Sequence, residues 1–202
     1  QRINNGEIFG IEELGSVTDG WINLHKTDQA TELTNNLSEK TSASLFIKHP
    51  NNWATGNLAF NNTPIKAGID DFTGTNSPTS VTFMGLNTTF PDGYKVIVYV
   101  GGFLGNRGTS ISDGKSTFYY QTPASPTVPV TFVQTTTVTN DGDGTAPEAH
   151  YAIFGTDESP LLTDSITFTI DTLYGGGSFI GGIQIMGESV SGEPIKTLIP
   201  VP

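Results

Sequence analysis

At 202 residues the chain is long enough for one sizeable core, and all-β sandwiches of this length commonly form one domain. A net charge of −11, with nine Lys and Arg spread through the chain, would repel phosphate backbones and offers no basic stripe, which argues against nucleic-acid binding. There is no cysteine, so disulfides, thiol catalysis and thiolate metal sites are excluded.

Charged residues make up only 14% of the chain, which disfavours long solvated helices; the polar mass sits in short side chains suited to strands and turns. No stretch approaches the roughly 18 apolar residues of a membrane span, so membrane insertion is not expected. The acidic, Lys-poor composition suits a secreted or cell-surface protein. Gln1 opens a mature-looking chain with no signal-peptide pattern, as a processed export signal or an excised module would leave it.

In chain order, residues 8–14 and Ser44–Lys48 are candidate strands, and 28–37 is a candidate short helix in a polar stretch. Clearer strand signals begin at residues 80–86, with residues 94–100 following the turn Pro91-Asp92-Gly93 as its expected partner. The run Tyr94-Lys95-Val96-Ile97-Val98-Tyr99-Val100 is long enough for a central strand covered on both faces, ended by Gly101-Gly102. Residues 116–121, 130–138, 150–154, 165–170 and 182–186 follow, each bounded by Gly, Pro, Asn or Asp. Strict alternation in 165–170 places Ile166, Phe168 and Ile170 in the core and both threonines toward water. Short strands with turn punctuation predict an all-β, antiparallel β-sandwich of jelly-roll type. One domain spans 1–188, and the proline-bearing 189–202 is read as a C-terminal linker or edge extension, with further domains tethered to it.

Paired carboxylates such as Glu12-Glu13, Asp70-Asp71 and Asp157-Glu158 are adjacent, and strand neighbours point to opposite faces, so they read as solvated loop charges rather than a glycosidase pair. Asn140-Asp141-Gly142-Asp143-Gly144 resembles part of a calcium loop, which makes Asp141 and Asp143 candidate ligands of a structural calcium. It lacks the spacing and terminal Glu of an EF-hand, and Asp-Gly is also a hairpin turn. His25, His49 and His150 lack zinc-motif spacing, and no Gly-x-Ser-x-Gly elbow occurs. No catalytic residue and no required cofactor are therefore assigned.

Aromatic side chains beside amides are the stronger signal, because sugar rings stack their C–H faces on flat rings while their hydroxyls bond Asn, Asp, Gln or Arg. Trp21 and Trp53 sit in polar stretches, where each is either core packing or a ligand platform. Tyr119-Tyr120 sends one ring inward and one outward on a strand, so only one can join a given site. Asn106-Arg107-Gly108 follows the central strand, and Arg107 is read either as a clamp for a ligand anion or as half of an internal ion pair.

The stretches Gly93 to Val100, Arg107-Gly108, His150 to Phe154, Ser165 to Ile170 and Gly181-Gly182-Ile183-Gln184-Ile185, in this order, resemble jelly-roll modules of large secreted environmental bacterial proteins. These modules are similar to carbohydrate-binding modules and galactose-binding-like domains, and the resemblance covers roughly residues 80–187. It implies a non-catalytic module attached to a polysaccharide-degrading enzyme or a surface protein, with a polysaccharide or glycan as partner. The alternatives are a structural or adhesive surface module and, behind that, a polysaccharide hydrolase or lyase.

Overall fold

The computed structural model describes residues 8–9, 17–18, 22–24, 29–30, 33–35, 39–48, 51–54, 65, 67–70, 79–102, 105–122, 131–140, 146–175, 177–187 and 198–200. Before Leu33, in 51–54, at 67, 69, 70 and 102, and in 198–200, only the backbone is described. The strands are β1 Ile8–Phe9, β2 Val17–Thr18, β3 Ile22–Leu24, β4 Gln29–Ala30, β5 Ser44–Lys48, β6 Asn51–Ala54, β7 Ala67–Asp70 and β8 Thr79–Met84. After the helical turn α1 Leu86–Thr89 come β9 Lys95–Gly102, β10 Gly108–Ser112, β11 Thr117–Gln121, β12 Tyr151–Phe154, β13 Ile166–Tyr174, β14 Ser178–Met186 and β15 Leu198–Pro200.

Numbered from β7 as the first, the eight strands β7 to β14 run first-eighth-third-sixth in one sheet and second-seventh-fourth-fifth in the other. That is the strand order of a jelly roll, and the chain is an all-β sandwich. The second sheet gains β5 and β4 beyond β8, which makes six strands; the first gains β6 beside β7, and β15 and β3 beyond β14.

Alternation decides what fills the space between the sheets. Val96, Val98 and Val100 of β9 meet Phe83, Phe168, Ile170 and Ile111 from the opposite sheet, all buried. Phe154 and Phe168 rings stand 4.9 Å apart, with Phe118 5.2 Å from Phe154. The other face of β9 is covered too: Ile97 and Tyr99 form a second cluster with Ile65 and Tyr151, and Phe132, Ile153 and Met186 pack against it. β9 is thus the doubly covered central strand that its unbroken apolar run predicts.

Three expectations change, and one strand is new. β8 and β9 do not form a hairpin: α1 carries the chain across the sandwich, and they lie in opposite sheets. Within 28–37, Gln29–Ala30 pairs with β5 as a strand, and Leu33 turns back onto Ala43 (N···O 3.0 Å), because a short Thr/Asn-rich segment gains more from a sheet edge than from an isolated helical turn. Residues 131–138 form no regular strand. They are a strap across one side of the sandwich, bonded in turn to β12 (Thr135 N–H to Tyr151 O, 2.8 Å) and to β11 (Tyr119 N–H to Thr137 O, 2.8 Å). β10, Gly-Thr-Ser-Ile-Ser, is a strand that its composition conceals.

Candidate functional site

The register of three strands builds a groove on the solvent face of the six-stranded sheet. Ile111 of β10 and Tyr120 of β11 are buried in the core, so their neighbours Gly108, Ser110, Ser112, Thr117, Tyr119 and Gln121 face outward. On β13, Ile170 is buried and Asp171 faces outward. A bulge then inserts Leu173, so that Tyr174 rather than Leu173 pairs with Gly108 and joins the outer face. Tyr174 is 62% exposed.

Three levels result. Gln121, Gly108 and Tyr174 lie abreast; next come Tyr119, Ser110 and Asp171; then Thr117, Ser112 and Thr169. The middle strand contributes only hydrogen, hydroxymethyl and hydroxymethyl, while its neighbours carry long side chains. β10 is therefore a floor and β11 and β13 are walls, about 9.5 Å apart at two strand spacings. Gly108 and Ser110 are buried as floor residues, Gln121 and Tyr119 are half-buried, and Asp171 is exposed. Beyond β13 the same face continues as hydroxyls, with Thr169 beside Ser80, and Thr167 beside Thr82 at 2.8 Å between their Oγ1 atoms, ending at Lys48 and Phe46 on β5.

Asn106 and Arg107 form one end of the groove. Asn106 takes φ 60°, a left-handed conformation that asparagine tolerates, and its N–H donates to Thr122 O at 2.9 Å. The backbone of Arg107 is held by Thr122, its N–H donating to the side-chain Oγ1 of Thr122 at 3.1 Å and its O accepting from Thr122 N–H at 3.0 Å. Its Nη1 donates to the carbonyl of Gly175, and its Nε is buried without a partner. Among the described residues no carboxylate forms an ion pair with it; it fastens the β13–β14 hairpin that presents Tyr174. Gly175 has φ 85°, and a Cβ there would lie 2.4 Å from Arg107 Nη1. The guanidinium packs on a position that only glycine leaves open.

Of the paired tyrosines, Tyr119 is the outward one, while Tyr120 is wholly buried between the sheets behind the groove. Trp53 lies on β6, paired with Gly68 of β7 in the other sheet, and its side chain falls outside the described residues, as do Trp21, Asp141 and Asp143 altogether. Among the described residues no three His, Asp or Glu side chains gather as a metal set, and no helix is long and apolar enough to cross a membrane. No local sequence pattern marks Gln121, Asp171 or Tyr174 as groove residues. The available signal was an aromatic residue immediately before Gly175-Gly176-Gly177, and reading it requires the bulge.

His150 is the one histidine described, and it is committed to structure. Its N–H donates to Val133 O at 2.8 Å, Val133 N–H donates to its Nδ1 at 3.1 Å, and its ring lies edge to face against Phe132 at 5.7 Å. Burial pushes its pKa down to about 4 despite the opposing pull of Glu148, and its Nε2 is buried without a partner.

No family model, curated protein or solved structure matches the chain.

Proposed function

We propose that the chain is a non-catalytic carbohydrate-binding module of a secreted or surface protein, and that the β10 groove is where it holds a glycan. The observation that carries this reading is Tyr174, an exposed aromatic ring set across a glycine floor from Gln121, with Tyr119 and Asp171 one level along. Flat rings offer stacking to sugar C–H faces, while amide, carboxylate and hydroxyl groups satisfy sugar hydroxyls. A glycan is also the partner suited to a surface of short hydroxyl side chains on a chain of net charge −11. Such binding needs no catalytic group.

Affinity electrophoresis of the wild-type chain and Tyr174→Ala through a panel of polysaccharides, with reducing-end release followed in parallel, tests the proposal. Retardation of wild type that is lost in the variant, without product release, supports it. Product release would make the protein an enzyme. No retardation across the panel, calcium included, would return the reading to a structural or adhesive module.

A further inference from the structure

Walls of the groove are not equivalent along its length. At the Gly108 level the aromatic ring, Tyr174, stands on β13 and the polar group, Gln121, on β11; at the Ser110 level the ring, Tyr119, stands on β11 and the polar group, Asp171, on β13. The two levels are two residues apart, about 6.8 Å along the strand. A ring slab touching atoms on both faces needs about 7–8 Å between them, at 3.5–4.0 Å per contact. Walls spaced about 9.5 Å apart thus admit one sugar ring on edge and not two abreast. Gly108, the first residue of β10, carries no side chain and so leaves the floor lowest at the level where the most exposed ring stands.

We infer that the groove takes an unbranched glycan whose successive rings are turned over relative to one another, the two-fold ribbon of β-1,4-linked pyranoses, running along β10. In such a ribbon the same face of the sugar is presented to one side by one ring and to the opposite side by the next. Tyr174 and Tyr119, on opposite walls at successive levels, then meet equivalent faces of consecutive rings. The edge hydroxyls of those rings meet Gln121 and Asp171, and the hydroxyls of Ser112, Thr117 and Thr169 continue the track. A helically coiled chain keeps the same face on one side and stacks on one wall only. The inference rests on the carbohydrate reading above.

Calorimetric titration of the whole chain with β-1,4-linked hexaoses of glucose, mannose and xylose, against the α-1,4-linked hexaose of glucose, separates the two claims. A β-1,4-linked hexaose is expected to bind at least tenfold more tightly than its α-linked counterpart. Tyr174→Ala and Tyr119→Ala should each weaken it about tenfold, and Gly108→Val should abolish it, with melting temperature checked for every variant. Should Gly108→Val fail to fold, Tyr174→Ala, at an exposed position, still decides. Equal or tighter binding of the α-linked hexaose, or full affinity after loss of either tyrosine, overturns the ribbon inference and leaves glycan binding standing. Failure of every glycan in the wider panel overturns both.

Discussion

Acidification should weaken this fold through one side chain. Neutral His150 accepts Val133 N–H at Nδ1, so its proton sits on Nε2, and a second proton would set two donors face to face inside a buried contact. With the folded pKa depressed, the unfolded chain takes up the proton first. The stabilisation is complete above the ordinary value of 6.5, falls as pH drops, and is lost by about pH 4. That interval corresponds to about 3 kcal/mol. Denaturant titrations of wild type and His150→Asn from pH 7.5 to 4 give the difference directly, since Asn can still accept Val133 N–H through its amide oxygen but does not titrate. Carboxylates, Glu148 among them, titrate in both proteins and cancel to first order. The wild-type curve should fall below the variant's by about 3 kcal/mol over the range, with amide exchange rising first at Val133 and Tyr119. Parallel curves would refute the reasoning.

Gly175→Ala should cost about 1–3 kcal/mol, from positive φ and from the collision with Arg107, and thermal melting will show whether it does. Phe168→Ala, at the centre of a fully buried three-ring contact with Phe83 and Phe154, should cost about 3–5 kcal/mol by chemical denaturation. Tyr174→Ala should leave the melting temperature within a degree or two of wild type, as expected for a ring mostly in water.

Where local pattern alone decides an element, the chain was readable. The strict alternation around Ile166, Phe168 and Ile170 and the apolar run from Val96 to Val100 each specify a strand and the faces it buries. β10 was not legible, because Ile111 is its only large apolar residue and its strand character comes from bonding between β11 and β13. The same holds for the strap: 130–138 has the composition of a strand, but its backbone partners pass from β12 in one sheet to β11 in the other. Tyr119 and the Asn106-Arg107 corner were within reach of sequence reasoning. Tyr174 and Asp171 were not, since an inserted Leu173 changes which side of β13 faces out, and only the pairing reveals it.

The strap also governs how copies of this chain can meet. A jelly roll leaves strand edges whose free amides and carbonyls can recruit a foreign strand. Here β11 and β12, the two edges on one side, already have partners: Gln121 N–H donates to Pro147 O at 3.0 Å, Ala149 N–H to Gln121 O at 3.1 Å, and residues 135–137 bond both strands. At high local concentration, copies of the chain would meet that flank already occupied and closed to edge-to-edge polymerisation. Among the described strands, the edges left for strand exchange lie on the opposite flank, at β4 in one sheet and at β3 and β6 in the other.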